Sequence, residues 1–230
     1  MFKRILLSLL LLSSAIAHAE TVAVIGTGNV GMALGTEFAA MGHTVIYGSR
    51  SPESVKTQDL VTKTGNGSSA QLPADAAAAS DVVVLAVPGM VTEAVARGLG
   101  DLSGKIIIDA TNPLDMQPEL MQFRYGVATS NGELVQAAHP DAFVVKAFNT
   151  ITWQQMIDPD VVDTPPVVPL ASDHDEAKAK VADYVRGMGL DPIDLGGLEY
   201  SRWSELTVVV MLNNRFSERE KFDIVFQRAD

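Results

Sequence analysis

Short aliphatic and β-branched runs alternate along this chain with small-residue or amphipathic segments, and the alternation predicts strands separated by helices. Thr21–Ile25 is an apolar strand, Val30–Met41 a helix stopped by Gly42, and Thr44–Tyr47 a second strand. Ser51-Pro52-Glu53 opens a helix to about Thr64, with Ser51 as cap and Pro52 in the first turn. Ser68–Gln71 is a short third strand, Pro73–Ser80 an alanine-rich helix, and Val82–Val87 a fourth strand buried on both faces. The pattern then gives a helix over Val91–Leu99 and a strand over Lys105–Asp109. Met116 to Ser130 is loop-like and holds Arg124 and Tyr125, which border a pocket in this reading. A helix from Asn131 to about Ala138 and a strand over Ala142–Lys146 follow. The last third predicts strands at Val167–Ala171, Pro192–Leu195 and Phe222–Gln227, and helices at His174–Met188 and Leu198–Asn213. Arg202 and Glu205, one turn apart on that last helix, read as a helical ion pair. Strands that are apolar throughout and alternate with helices indicate an α/β fold with a mostly parallel sheet.

Residues 1–19 fall outside this pattern. Lys3 and Arg4 form a basic start, Ile5–Ala17 an apolar run too short to span a bilayer comfortably, and Ala17-His18-Ala19 an A-x-A cleavage site. They read as a secretory signal peptide, which places the protein in the periplasm or outside the cell and leaves residues 20–230 as one domain with no further membrane span.

Composition narrows the function classes. The 230 residues are 47% hydrophobic and 20% charged, enough to fill a core. The formal charge of −11 argues against nucleic acid as partner. Absence of cysteine excludes disulfides, thiolate catalysis and cysteine-based zinc sites. His18, His43, His139 and His174 are scattered without metal-ligand spacing, and no metal is expected. His139, before Pro140, reads as a loop residue.

The chemistry concentrates between the first two strands. Gly26-Thr27-Gly28-Asn29-Val30-Gly31 is G-x-G-x-x-G between a strand and a helix. Gly26 serves the tight turn, Gly28 the close approach of phosphates and Gly31 the packing of helix on strand. The helix start offers unpaired N–H groups and the positive end of its dipole to an anion. This makes the fold a Rossmann-type doubly wound sheet with a dinucleotide site. An NAD site usually places an acid at the end of the second strand, yet none occurs between His43 and Pro52. Ser49 and Arg50 stand there instead, and Arg can grip a 2′-phosphate bidentately. The cofactor expected is therefore NADP(H). An exported chain and a cytoplasmic cofactor pull against each other.

Three later strand ends carry polar or rigid segments where ligands of such sheets lie. Val87-Pro88-Gly89 is either a rigid loop beside the cofactor or a plain terminator. Thr111 and Asn112 either hydrogen-bond the cofactor or hold their own loop. Ala147-Phe148-Asn149-Thr150 is a third such end, suited to a nicotinamide pocket.

The stretches VAVIGTGNVGMALG, GHTVIYGSR, VVVLAVP, GKIIIDATNPL, VVKAFNT and GLDPIDLGGLEYSRWSEL, in this order from Val22 to Leu206, resemble the NADP oxidoreductases that use the deazaflavin coenzyme F420. They are also similar to the cytosolic domain of the six-transmembrane epithelial antigen metalloreductases. The resemblance implies hydride transfer between NADPH and a small-molecule acceptor, F420 or a flavin. It assigns Thr27, Gly28, Asn29 and Val30 to the phosphates, and Ser49 and Arg50 to the 2′-phosphate. Val87, Pro88, Ala110 and Asn112 would line the path from adenosine to nicotinamide, with Ala147 and Phe148 flanking the ring. The family pattern often adds a basic residue one turn after the Ser-Arg pair, where this chain has Ser54. The resemblance also suggests a homodimer. No catalytic acid is obligatory for this chemistry, and none is assigned. Two other readings are a noncatalytic NADP-binding protein and a 3-hydroxyacid dehydrogenase. Those dehydrogenases use a lysine on a late helix, and Leu198–Asn213 contains none.

Overall fold

The structure, a computed structural model, describes residues 19–116, 121–216 and 226. Ten strands and eight helices alternate among these residues: β1 (Thr21–Ile25), α1 (Asn29–Ala40), β2 (Thr44–Gly48), α2 (Val55–Thr64), β3 (Ser69–Gln71), α3 (Pro73–Ala78), β4 (Val82–Leu85), α4 (Thr92–Arg97) and β5 (Ile106–Asp109). Then come β6 (Leu114–Met116), β7 (Met121–Phe123), α5 (Asn131–Ala138), β8 (Phe143–Lys146), α6 (Trp153–Ile157), β9 (Val167–Ala171), α7 (Asp175–Gly187), β10 (Asp191–Gly196) and α8 (Ser201–Phe216). Eight strands form one sheet in the order β10-β9-β8-β5-β4-β1-β2-β3. Every pair is parallel except β8 with β9.

The central strands TVAVI, VVVL and IIID are apolar on both faces because both faces are covered. On one face Val22, Val24, Val45, Val84 and Val145 meet Leu34 and Phe38 of α1 and Val181 and Val185 of α7. On the other, Ala23, Ile25, Val83, Leu85 and Ile107 meet Ala76 and Ala77 of α3, Ala96 of α4 and Val135 of α5. The chain winds outward from β1 toward β3 and, after crossing over, from β4 toward β8. Strand order therefore reverses between β1 and β4, and a crevice opens beyond their carboxyl ends.

Differences from the sequence pattern have local causes. The α2 cap is Ser54, not Ser51: the Ser54 hydroxyl accepts from Thr57 N–H, and the Ser51 carbonyl closes a preceding turn with Ser54 N–H. The loop-like stretch before α5 contains the β6–β7 hairpin, registered Leu114 to Phe123 and Asp115 to Gln122. β4 ends at Leu85, two residues early, and a 3₁₀ turn over Gly89–Val91 precedes α4. The strand expected at Phe222–Gln227 lies outside the described residues, apart from Phe226, which is in no regular element. No helix among the described residues is long and apolar enough to cross a membrane.

Candidate functional site

The crevice begins at the turn from β1 into α1. Gly26 has φ +119°, and a Cβ there would stand 2.3 Å from the Ala86 carbonyl oxygen at the end of β4. The turn and the β4 end thus touch backbone to backbone. Gly31 packs as tightly, since its Cβ would meet the Gly26 carbonyl at 2.1 Å. Gly28 is the opposite case: nothing lies within 4 Å of a Cβ built on it. It is the N-cap of α1 with no side-chain hydrogen bond, and both Gly28 and Asn29 are exposed. A helix start whose first N–H groups face open space fits a pyrophosphate.

At the end of β2, Ser49 is buried and Arg50 exposed. Ser49 Oγ accepts from Ser51 N–H at 3.2 Å and shares a hydrogen bond of 3.2 Å with Thr57 Oγ1. Arg50 makes no ion pair or hydrogen bond with another described residue. An Arg without a carboxylate partner beside an open crevice is free to receive an anion.

After β4, Val87 is partly buried against the core, Pro88 is exposed, and Gly89 behind them is buried. A Cβ on Gly89 would overlap the Asn112 carbonyl at 1.6 Å, so this turn and the segment after β5 are fitted to each other. Asn112 then ties β5 to β8: its Nδ2 donates to the Asn149 carbonyl and its Oδ1 accepts from Asn149 Nδ2, each at 3.0 Å. Asn112 therefore holds its own loop, one of the two roles open from sequence. Ala110 is buried beside it. Ala147 and Phe148 are also brought to this place, but their side chains are buried in the core. Phe148 has φ +63°, a left-handed backbone rare for a bulky residue. The turn sends its ring inward, and residues 147–150 are all buried. Two buried polar atoms on this segment, Asn149 Oδ1 and Thr150 Oγ1, have no hydrogen-bond partner. Buried polar atoms without partners need a bound group or water, and these fit a ligand with amide or hydroxyl groups.

Directly behind the β5 and β8 ends lies a cluster that sequence reasoning missed. The Lys146 ammonium, wholly buried, donates to Asp109 Oδ2 at 2.9 Å, Glu205 Oε1 at 2.6 Å and the Thr111 carbonyl at 2.5 Å. All three of its protons are used. Asp109 Oδ1 accepts from the N–H and hydroxyl of Thr111. Both Glu205 oxygens accept from Asn131 N–H at the start of α5, where the helix dipole favours a negative charge. Asn131 Nδ2 donates to the Gly89 carbonyl, Thr92 Oγ1 and Thr111 Oγ1. Burial opposes the charge on Lys146, but the two carboxylates outweigh it and raise its pKa. Burial pushes Glu205 up to about 7; the ammonium pulls against that rise and Asp109 adds to it.

Arg202 and Glu205 are not the helical pair expected. Arg202 forms a bidentate pair with Glu133 of α5, through Nε at 2.8 Å and through Nη2, while Glu205 turns inward to Lys146. Each is committed to a partner outside α8, so their one-turn spacing brings no ion pair between them. His139 is not loose: its ring, buried at the end of α5, lies 2.8 Å from the Ala96 carbonyl through Nε2. Arg124 donates to the Met90 carbonyl and lies over the Tyr125 ring, joining the hairpin to the turn before α4.

Residues 21–113, which form β1 to β5 with the glycine turn, match the family described as NADP oxidoreductase, coenzyme F420-dependent. The F420-dependent NADP reductase of Methanothermobacter thermautotrophicus is 32% identical over 213 residues, which cover 86% of this chain and 90% of that protein. The chain belongs to the coenzyme F420-dependent NADP oxidoreductase family. This places it among NADP-dependent oxidoreductases. Metalloreductase STEAP3 of Rattus norvegicus is 30% identical over 80% of this chain, but the chain spans only 36% of that longer protein. A crystal structure assigned as an F420-dependent NADP reductase from Arthrobacter sp. FB24 superposes with a TM-score of 0.79 at 30% identity, covering 84% of this chain and 92% of that one.

Proposed function

We propose that this protein binds NADPH in the crevice between β1 and β4 and delivers hydride to a flavin-like or deazaflavin acceptor. The observation that carries this reading is the pairing of the open α1 start at Gly28 with an unpartnered Arg50 at an acid-free strand end. The exposed N–H groups of Asn29 and Val30 hold the pyrophosphate, with Thr27 and Gly28 shaping the approach. Arg50 receives the 2′-phosphate, and Ser49 holds the strand end by bonding Thr57 and Ser51 N–H. Ser54 caps α2 and adds no second positive charge.

Val87, Pro88 and Asn112 border the path from adenosine to the ring. The backbone of Ala147 and Phe148, with the unpaired Asn149 and Thr150 oxygens, receives the nicotinamide end. When bound, NADPH supplies the hydride itself. The protein's part is to hold two rings in contact and exclude water. The F420-dependent reductases support a deazaflavin acceptor. The metalloreductases, of which this chain matches only a part, support testing ferric chelates as well.

Stopped-flow oxidation of bound NADPH by FMN, riboflavin, F420 and ferric chelates is the test. Rapid oxidation by one of the isoalloxazine or deazaflavin acceptors is expected. NADPH that binds but is oxidised by none of them would favour a noncatalytic binding protein. We further propose that residues 1–19 are removed on export and that the protein works in the periplasm. N-terminal sequencing from fractionated cells should find a chain starting at Glu20, and an intact Met1 would overturn this.

A further inference from the structure

Lys146 and Asp109 sit one residue behind the two segments that end the crevice, and Glu205 of α8 joins them there through its ion pair with Lys146. Lys146 precedes Ala147 and Phe148, Asp109 precedes Ala110, and the ammonium holds the carbonyl of Thr111. One ammonium faces two carboxylates. With both ionised, the cluster carries one buried negative charge; with one proton added, it is neutral.

We propose that this cluster sets the preference of the crevice between oxidised and reduced nicotinamide, its negative state favouring the cationic ring of NADP⁺ and its neutral state the uncharged ring of NADPH. The proposal rests on the reading above that the nicotinamide lies at the β5 and β8 ends. Glu205 is the group that exchanges the proton, since burial holds its carboxyl up to about 7. Among the described residues, the groups facing it are few. They are Lys146 on β8, Asp109 on β5, the Asn131 N–H on α5 and Tyr125 after β7, whose phenol burial raises further from neutrality. Arg202 on α8 is committed to Glu133 on α5 and is also close to Glu199 in the turn before α8. β9, which packs on α8, carries no ionisable side chain.

NADP⁺ and NADPH share every phosphate and differ in ring charge. The ratio of their dissociation constants therefore cancels the titration of the 2′-phosphate and of every group that acts only on the shared parts. Calorimetric titration of the whole protein with each cofactor, from about pH 6 to about pH 8, reads this ratio without any turnover. Kd(NADP⁺)/Kd(NADPH) should fall as pH rises, by roughly 3- to 30-fold for one unit charge acting through a protein interior. Glu205→Gln, which keeps the shape and cannot ionise, should flatten the profile. A carboxyl infrared band of the cofactor-free protein should titrate near neutrality and vanish in the same variant. Merely structural support of the loops would weaken both cofactors together and leave the ratio flat. A flat ratio in the unmodified protein overturns the proposal, whether or not the variant folds. Failure of either cofactor to bind at any pH overturns the cofactor reading, and this proposal with it.

Discussion

The Lys146 ammonium lies 2.6 Å from Glu205 Oε1, although 59 residues separate them in sequence. The contact fastens α8 to the end of β8, behind the segments that close the crevice. Removing one partner of a buried pair leaves the other without compensation, typically at a cost of about 3–5 kcal/mol. Lys146→Met should therefore lower the stability of the protein by about that amount in chemical denaturation. Adding Glu205→Gln to it should recover part of the loss, because one of two facing carboxylates is then neutral. A single variant as stable as the parent would show the cluster to be energetically idle.

Glu205 also predicts the sign of a pH effect on folding. Its pKa is about 7 in the folded protein, against an ordinary value of 4.5. Between these values the folded state binds more protons than the unfolded state, so its contribution falls as pH rises and is lowest above about 7. The full swing is roughly 3 kcal/mol at 1.36 kcal/mol per unit. Denaturation midpoints of the parent should fall between about pH 5 and pH 8 relative to those of Glu205→Gln. A flat difference would mean that the ammonium dominates and the carboxyl is ionised throughout.

The glycines of the turn should separate folding from binding. Gly28→Ala meets no protein atom, and its φ of −80° suits alanine, so the fold should lose at most about 1 kcal/mol as a weaker N-cap. The same methyl occupies the proposed phosphate approach, and NADPH affinity should drop at least tenfold, about 1.4 kcal/mol. Gly26→Ala combines a φ of +119° with a 2.3 Å contact to the Ala86 carbonyl and should cost about 3 kcal/mol or more of stability. Thermal melts of the two variants beside their NADPH titrations make the comparison. Equal damage to folding from both would contradict it.

Much of the sheet was legible because its strands are buried on both faces and appear as unbroken aliphatic runs between glycine and proline breaks. TVAVI, VVVL and IIID are examples. The β6–β7 hairpin was not legible, since Leu114–Met116 and Met121–Phe123 are three-residue strands without a period of their own. The glycine turn at the proposed phosphate end followed from G-x-G-x-x-G, where spacing alone carries the geometry. The far end did not. Phe148 looked like a ring neighbour, but its positive φ turns the side chain into the core, and positive φ in a phenylalanine leaves no mark in sequence. Lys146 and Glu205 were invisible for another reason. A lysine ending the apolar run FVVK was the available signal, because a charge there must find a partner, but only the fold identifies that partner as Glu205.

Arg50 is the residue through which we propose that the crevice recognises NADP(H). Titration of the protein with NADPH and NADH, followed by nicotinamide fluorescence in the parent and in Arg50→Glu, tests it most directly. NADPH should bind the parent more tightly than NADH. The substitution should weaken NADPH selectively, by roughly 2–4 kcal/mol, as a charge-assisted pair is lost and a like charge gained. Equal affinity of the parent for the two cofactors, or an equal loss for both on substitution, would contradict the account.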